Sequence, residues 1–340
     1  MNEVFIVDAL RSPIGRFRGS LSEVRADELL ARLLAELTTR NAVDGSQVND
    51  VLMGCVTQVG EQCGNIARTA LLSAGLPDSV PGMTVDRKCG SGEAAIQGGY
   101  ARIRAGMADI VLAGGAESMT RVPMGCNRDS HGDAFGPALL ERFDLCSQGE
   151  AAERISDRWN LSRADHDRFA MESHRRAIEA ANAGVFEREI LPWNGLGDNG
   201  GSAALGADET VRFETSAQKL AGLKSVFREE GRVTAGNASQ ICDGAAALLL
   251  AGPGAVERAG LKARARIVAT VVVGSDPALM LTGPVAATRK VLDDAGMEFS
   301  DVDLFEVNEA FASVPLVWMK ETGVPHEKLN VNGGAIALGH

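Results

Sequence analysis

Residues 81–106 read "PGMTVDRKCGSGEAAIQGGYARIRAG" and change from a strand pattern to a helix pattern within a few positions. A short apolar run comes first, small residues at helical spacing follow, and Gly106 closes the pattern. The next segment, "ADIVLAGGAES" (108–118), is typical of a buried strand. A strand, a helix and a second strand in this order predict a right-handed crossover between parallel strands. We therefore expect an α/β protein with a mostly parallel sheet.

The same alternation continues along the chain on both sides of this stretch. The flanking segments that precede it predict a strand, a helix and a strand: "EVFIVDALR" (3–11), "RADELLARLLAELTTRN" (25–41) and "VNDVLMGCVTQ" (48–58). The later segments predict two strands, a helix, a strand that runs into a helix, and a strand with a loop: "DGAAALLLAG" (243–252), "ARARIVATVVVGSD" (263–276), "GPVAATRKVLDDAG" (283–296), "VDLFEVNEAFA" (302–312) and "LNVNGGAIAL" (329–338).

The two ends of the chain look alike, and the middle differs from both. "SQVNDVLMGCV" (46–56) matches "SDVDLFEVNEA" (300–310), and a Gly-rich turn follows each segment. Residues 120–236 carry charged helices and a Gly/Asp/Asn-rich patch, which is typical of an inserted loop domain. We predict an N-terminal half at 1–119 and 237–262, an insertion at 120–236 and a C-terminal half at 263–340. The second copy stops at its glycine turn, so we expect that half to be incomplete.

Composition excludes several classes of function. The 340 residues carry a net charge of −11, which argues against nucleic acid as a partner because phosphate binding needs a positive field. No run of apolar residues is long enough to span a membrane, and the N-terminus lacks a secretory signal, so we expect a cytoplasmic protein. The six cysteines show no CxxC spacing and no His cluster joins them, so we predict no metal site and no disulfide framework.

Cys89 is the first candidate for chemistry because it stands where the strand pattern gives way to the helix. Backbone N–H groups and the helix dipole at that position stabilise a thiolate, and Gly90 and Gly92 allow a substrate to approach the backbone. The alternative is a buried cysteine at a tight turn. A second alternative is a dinucleotide turn, since "GSGEAA" imitates GxGxxA, but Asp109 precedes the next strand where that fingerprint needs an acid after it.

Two polar residues near the C-terminus are further candidates. Asn308 lies where a strand pattern passes into a helix, which is where α/β proteins place ligands, although it could instead cap the helix. His340 follows a glycine turn and is able to take a proton from Cys89, although a lone terminal histidine often has no role.

Ser239 and the backbone near Gly236 are candidates for the wall of a ligand slot.

Five motifs together identify a family. The segments "VDRKCGSGEAAI", "AGGAESMT", "TAGNASQICDGAAALL", "VNEAFA" and "NVNGGAIALGH" occur in this order. From Val4 to His340 the chain resembles the thiolases, the acyl-CoA acetyltransferases and 3-ketoacyl-CoA thiolases. The resemblance implies two similar five-stranded α/β halves with a loop domain inserted in the first. It also implies a homodimer or homotetramer, in which we expect the strand "ADIVLAGG" to pair across the interface.

The resemblance implies acyl-CoA acyltransfer: cleavage of a 3-ketoacyl-CoA by CoA, or the reverse Claisen condensation. Cys89 would take the acyl group as a thioester, and its backbone N–H would serve one oxyanion hole. His340 would activate Cys89 and form the other hole with a water held by Asn308. Coenzyme A or acyl-CoA is the substrate, and no permanently bound cofactor is implied. By similarity the residues that contact CoA are Arg212 near the adenine and phosphates, Ser239 near the pantetheine, and Phe227, Met280, Ala310 and Phe311 around the ligand.

The sequence departs from the family at its end. The CxGGG motif, which carries the second catalytic cysteine, is absent, and so are the proline and helix that follow the histidine. We therefore predict a chain that is truncated at its C-terminus relative to the family. This leaves open a non-catalytic thiolase-like protein that binds CoA or lipid. A ketoacyl-carrier-protein synthase is a more distant alternative, which "NEAFA" and "GGAIALGH" disfavour. "SQGEAAERI" resembles degradative thiolases, including those for steroid side chains, and favours β-oxidation.

Overall fold

The computed structural model describes residues 2–128, 132–196 and 202–340. The chain forms two compact units. The first contains Met1–Gly132, Phe186–Glu209 and Cys242–Val268, and the second contains Asp133–Val185, Thr210–Ile241 and Ala269–His340. The boundaries of these units differ from those of the predicted insertion at 120–236. One part of that segment belongs to the first unit and the rest belongs to the second. The duplication of two halves around an insertion stays a prediction.

The described residues form nine strands and eleven α-helices. The strands are β1 (Phe5–Arg11), β2 (Gly15–Arg16), β3 (Asp50–Gly54), β4 (Gly82–Val85), β5 (Ile110–Ser118), β6 (Trp193–Leu196), β7 (Ser202–Leu205), β8 (Cys242–Ala251) and β9 (Ala265–Arg266). The helices are α1 (Ala26–Arg40), α2 (Ile66–Ser73), α3 (Ser91–Arg104), α4 (Pro137–Leu140), α5 (Gln148–Arg158), α6 (Arg163–Asn182), α7 (Ala217–Ala221), α8 (Pro253–Arg258), α9 (Gly283–Ala295), α10 (Ser313–Thr322) and α11 (Ala335–Leu338). None of these helices is both long and apolar enough to cross a membrane.

The described residues of the first unit form one seven-stranded mixed sheet and a two-stranded antiparallel sheet of β6 and β7; the larger sheet carries the unit. Its strand order is β4-β3-β5-β8-β1-β9, with β2 paired to β8. Strand β3 runs parallel to β4 and β5, as predicted. The prediction of a mostly parallel sheet is wrong beyond β5, because β8 is antiparallel to both β5 and β1. The reason is the register: β8 starts beside the end of β5, where Ser118 pairs with Asp243, and so it runs back along that strand.

Helices cover both faces of this sheet, and the alternation of β3 decides which residues face which helix. Val51 and Met53 belong to the core formed with α1 and α2, whereas Leu52 belongs to the core formed with α3. Each of these three side chains is fully buried. Burial of one such side chain contributes about 1.5–3 kcal/mol, so the two cores hold α1 and α3 firmly against the sheet. The helix and strand expected on either side of Cys89 are confirmed.

Strand β5 lies in the interior of the sheet. It pairs with β3 along one edge and with β8 along the other. The expectation that "ADIVLAGG" pairs across a subunit interface is therefore wrong, because both edges of that strand are already hydrogen-bonded. Strand β4, by contrast, ends the sheet order, and among the residues that the structure describes its single neighbour is β3.

The second unit is mainly helical. Its largest buried side chain is Trp318 on α10, whose indole Nε1–H donates to the hydroxyl of Thr288 on α9 at 2.9 Å. The prediction of strands at 302–312 and 329–338 is wrong. These two segments are joined by one isolated parallel bridge, between Phe305 and Leu329, and do not form a continuous ladder. Of the strand predicted at 263–276, only β9 forms. A strand persists only where a neighbour accepts and donates its backbone hydrogen bonds, and the described residues supply one such neighbour here.

Candidate functional site

Cys89 lies in the turn between β4 and α3. The preceding residue, Lys88, has a left-handed backbone with φ of 50°. The Gly90 N–H donates to the Arg87 carbonyl at 3.1 Å, which closes a β-turn around Lys88 and Cys89. Cys89 is exposed, so the alternative of a buried cysteine is wrong. The thiol therefore stands one turn from the unpaired N–H groups at the start of a 14-residue helix.

Ser91 bonds the turn back onto the helix. Its hydroxyl accepts the Arg87 N–H at 2.8 Å and donates to the Lys88 carbonyl at 2.6 Å. The N–H of Ser91 donates to the same Lys88 carbonyl at 3.0 Å. Ser91 is only 4% exposed, so water competes weakly for these bonds. Sequence reasoning assigned no role to this residue, although it stands between the two glycines that were singled out.

The second unit brings together four of the residues predicted to contact CoA. The N–H of Ser239 donates to the Ala310 carbonyl at 3.0 Å. The ring of Phe227 meets Phe311 edge to face, with 6.1 Å between ring centroids. Ala310 and Phe311 are buried, while Phe227 is 42% exposed. These contacts place the four residues next to one another, with Phe227 the most exposed of them.

Arg212 lines a separate concavity of the second unit, a cavity of about 440 Å³. The Arg212 N–H donates to Nδ1 of His174 at 3.4 Å. Burial and the nearby Arg212 cation lower the pKa of His174 to about 4, so this imidazole is neutral near pH 7. The other residues of the wall are Phe213, Glu214, Thr215, Lys219, Leu220, Leu223, Ala235, Gly236, Gln240 and Ile336.

Met280 lies in an unusual backbone conformation. Its φ is +30°, in the left-handed region, and its N–H donates to the Asp276 carbonyl at 2.7 Å. It is half-buried. Its hydrogen bonds join it to Asp276 and Ser275 of its own loop, and among the described residues it does not line the Arg212 cavity. Its predicted contact with CoA stays a prediction.

Asn308 is exposed, in the loop that leads to α10. The alternative that it caps this helix is wrong, because α10 begins at Ser313 and Ala312 occupies the N-cap position. The neighbouring Glu309 is 1% exposed. Asn308 is therefore held at the surface by the buried residue that follows it.

The Glu309 carboxylate receives three hydrogen bonds from distant parts of the second unit. It accepts the Ser173 hydroxyl at 2.7 Å, the Asn330 side-chain amide at 2.9 Å and the Ile336 N–H at 3.1 Å. These three donors connect α6 and the start of α11 with the loop that carries Asn308. Burial raises the pKa of Glu309, while the three donors favour its ionised form. A glutamate inside the apolar run "VNEAFA" was the sequence signal that could have revealed this network.

His340 follows α11 in the second unit, whereas Cys89 belongs to the first. Its side chain lies at the surface, yet the protein around the imidazole removes part of its water and lowers its pKa. The neutral form, which can accept a proton, is thereby favoured near neutral pH. In the described ranges no group of three or more His, Cys, Asp or Glu residues is arranged to hold a metal ion.

Replacing Glu309 by Gln should destabilise the protein although the side chain keeps its shape. The amide nitrogen of Gln would face a donor, either Asn330 or the pair formed by Ser173 and Ile336. We expect the free energy of unfolding to fall by about 2–3 kcal/mol, measured by urea denaturation with tryptophan fluorescence. The control is Glu327→Gln at an exposed residue of the same unit, which should change the free energy by less than about 0.5 kcal/mol. A Glu309→Gln protein as stable as the parent would show that the network does not hold the loop.

Comparison with known proteins identifies both parts of the chain. The family profile "Thiolase, N-terminal domain" matches residues 4–253, and "Thiolase, C-terminal domain" matches residues 261–340. The chain is 43% identical to the 3-oxoadipyl-CoA/3-oxo-5,6-dehydrosuberyl-CoA thiolase of Escherichia coli K12, over 100% of this chain and 89% of the relative. It is 42% identical to the steroid 3-ketoacyl-CoA thiolase FadA6 of Mycobacterium tuberculosis H37Rv, over 100% of this chain and 84% of the relative.

A solved structure supports the same assignment. The crystal structure of the Bacillus anthracis acetyl-CoA acetyltransferase superposes with a TM-score of 0.91 at 38% identity, over 100% of this chain and 88% of that chain. The prediction of a truncated chain with an incomplete second half is not supported, because the profile for the C-terminal domain is matched through His340. The mixed α/β fold, the two matched domains and the full-length similarity lead to one conclusion: this chain belongs to the thiolase family.

Proposed function

We propose that this acyl-CoA thiolase works through an acyl-thioester on Cys89. The observation that carries the proposal is the place of Cys89, exposed in a turn at the carboxyl end of β4 and at the start of α3. Backbone N–H groups and the helix dipole at this position lower the cost of a thiolate. A thiolate is the form that attacks a carbonyl carbon, so the turn favours nucleophilic catalysis.

The proposed reaction has two steps. In the first, the Cys89 thiolate attacks the 3-keto carbon, the bond between C2 and C3 breaks, and acetyl-CoA leaves as its enolate and takes up a proton. In the second, the thiol of CoA attacks the acyl-thioester, a proton leaves that thiol, and Cys89 is released as a thiolate. His340 in its neutral form would accept the Cys89 proton, and Asn308 would hold the water of an oxyanion hole. The chain through His340 has no CxGGG motif, and we assign the proton transfer at C2 to no residue.

The Arg212 cavity is the proposed place for the nucleotide of CoA. Arg212 and Lys219 supply positive charge at its wall, and Phe213 and Leu223 supply exposed apolar surface. Phosphates bind guanidinium and ammonium groups by charge-assisted hydrogen bonds, and an adenine ring binds apolar surface. The pantetheine would then lie along the neighbouring residues Phe227, Ser239, Ala310 and Phe311.

Degradative cleavage is the proposed direction, with a 3-ketoacyl-CoA of a β-oxidation route as substrate. The resemblance of "SQGEAAERI" to degradative thiolases supports it, and so do the names of the relatives, which are called thiolases of 3-oxoadipyl-CoA and of steroid 3-ketoacyl-CoA. The cytoplasm remains the proposed compartment.

A homodimer, or a homotetramer built from such dimers, is the proposed assembly. Strand β4 is the end of the sheet order opposite β9, and Met83 on it is 39% exposed. An edge strand presents backbone groups that a second strand can bond, and an exposed apolar side chain on it favours burial. We propose that a second copy of the chain pairs at β4.

The acyl-thioester is tested by Cys89→Ala. We expect thiolysis of acetoacetyl-CoA to fall by at least about 1,000-fold, because the nucleophile is lost. Intact-mass spectrometry of the parent after incubation with acetoacetyl-CoA should show an acetyl adduct on the peptide that holds Cys89. The matched control is Cys63→Ala, an exposed cysteine of the same unit, which should keep full activity. Parent-like thiolysis by Cys89→Ala would overturn the proposal, and a parent with neither adduct nor turnover would return the CoA-binding alternative.

The nucleotide site is tested by Arg212→Gln. Loss of a charge-assisted bond to phosphate should raise the KM for CoA about tenfold or more and leave kcat within about twofold. The control is Arg168→Gln on the exposed face of α6, where the guanidinium pairs with Asp165. An unchanged KM in Arg212→Gln would place the nucleotide elsewhere.

The assembly is tested by Met83→Lys. A charge on the exposed side of the edge strand should shift the molar mass in light scattering towards the monomer, because pairing at β4 would bury it. Met107→Lys, at a residue that is 78% exposed after α3, should leave the mass of the assembly unchanged. An unchanged mass in Met83→Lys would move the contact away from β4.

A further inference from the structure

We propose that Ser91 is a positioning residue that fixes the peptide between Lys88 and Cys89, and with it the direction of the Cys89 N–H. The inference rests on the proposed acyl-thioester on Cys89 and on the role that the resemblance implies for this N–H, which is to stabilise the oxyanion formed when Cys89 is acylated. Ser91 itself touches neither substrate nor reacting atoms in this proposal. It acts through the turn.

The contacts of Ser91 converge on one peptide unit. Its hydroxyl and its N–H both donate to the carbonyl of Lys88, at 2.6 Å and 3.0 Å. The same hydroxyl accepts the N–H of Arg87 at 2.8 Å, so both its donor and one acceptor position are used within the turn. The Lys88 carbonyl thus has both lone pairs occupied by a single, buried residue.

Because the Lys88 carbonyl is held in place, the geometry of the peptide group also fixes the direction of the Cys89 N–H. The carbonyl of Lys88 and the N–H of Cys89 belong to one planar group, and this peptide is trans. In a trans peptide the C=O and the N–H point in opposite directions. Two bonds that hold the Lys88 oxygen towards Ser91 therefore hold the Cys89 N–H on the opposite side.

The type of turn shows why the Lys88 carbonyl has to be held by Ser91. Residues 87–90 form a β-turn in which Lys88 occupies the second position with a φ of 50°. The two turn types with a positive φ at that position, I′ and II′, differ in the orientation of the central peptide. That central peptide joins Lys88 to Cys89. Ser91 selects one of its two orientations, and the other would turn the Cys89 N–H to the opposite side.

Contacts outside the turn also hold Ser91 and Lys88 in place. A Cβ at Gly54 would lie 2.4 Å from the Ser91 carbonyl carbon, so the end of β3 touches the first turn of α3. On the other side, the Lys88 N–H donates to the Asp86 carboxylate at 2.8 Å. The backbone of Ser91 and the N–H of Lys88 are thus each held by a contact outside the turn's own hydrogen bonds.

The test compares two reactions of the same thiol in the full-length enzyme. Acylation of Cys89 by acetoacetyl-CoA passes through an oxyanion, whereas alkylation by iodoacetamide is a direct displacement at carbon and forms none. Ser91→Ala should slow acylation by about 10- to 100-fold, somewhat less than the loss of an oxyanion donor. Alkylation should stay within about threefold of the parent, and so should the KM for CoA. Quenched-flow mass spectrometry measures both rates.

Two further variants separate positioning from stability. Ser91→Thr restores the hydroxyl and should recover most of the acylation rate. Thr38→Ala removes another buried hydroxyl of the first unit, one that donates to the Leu34 and Ala35 carbonyls in α1, and should leave both rates unchanged. If Ser91→Ala does not fold, Ser91→Gly removes the same hydroxyl with more room. The inference is overturned by an acylation rate within about twofold of the parent, by an equal loss in alkylation, or by an equal loss in Thr38→Ala.

The experiments distinguish a failure of this inference from a failure of the proposed function. If Cys89→Ala abolishes thiolysis while Ser91→Ala acylates at the parent rate, only the role of Ser91 is lost. If Cys89→Ala keeps thiolysis, the acyl-thioester is lost and the role of Ser91 with it.

Discussion

The position of Cys89 depends on a close approach between two backbones. At the end of β3, a Cβ on Gly54 would lie 2.4 Å from the N atom of Gly92, a distance that real Cβ atoms do not reach. One strand further, a Cβ on Gly114 would lie 2.0 Å from the Ala246 carbonyl oxygen of β8. Because these positions lack side chains, the first turn of α3 lies directly on the ends of the parallel strands. The turn that carries the nucleophile is therefore held by direct backbone contact with the end of β3.

The second unit is organised around a buried carboxyl group. Glu309 joins α6 to the start of α11 through Ser173 and Ile336, and a Cβ at Gly334 would lie 2.3 Å from its carboxyl carbon. Desolvation of a carboxylate is expensive, and it is tolerated where donors satisfy the oxygen atoms. The same donors fix the loop on which Asn308 is exposed and the short helix before His340. A hydrophobic residue at 309 could fill the space but could not set these three backbone and side-chain directions.

The two regions differ in how far the sequence could predict them. Around Cys89 the hydrogen bonds of the turn join residues within a few positions, so the strand, the turn and the helix followed from local pattern, whereas the close approach of Gly54 to Gly92 did not. Glu309 finds Ser173 at a separation of 136 residues, which no local pattern reveals. The antiparallel direction of β8 and the interior place of β5 were missed for the same reason, since sheet order is a long-range property. The strands expected at 302–312 and 329–338 failed because apolar alternation predicts exposure of one face and cannot supply a neighbour.

In the Arg212 cavity the structure shows which basic side chains carry a positive charge and which does not, a distinction that the residue types alone do not give. A protonated His174 would place a second cation beside Arg212 in a buried position, and the resulting repulsion and desolvation keep its pKa at about 4. The neutral ring instead accepts the Arg212 N–H, which orders the backbone at the wall of the cavity. The positive charge is left to the side chains of Arg212 and Lys219, which are exposed and can adjust to an anionic ligand. A neutral imidazole in the wall and exposed cations at the rim suit a ligand whose phosphates stay in contact with water.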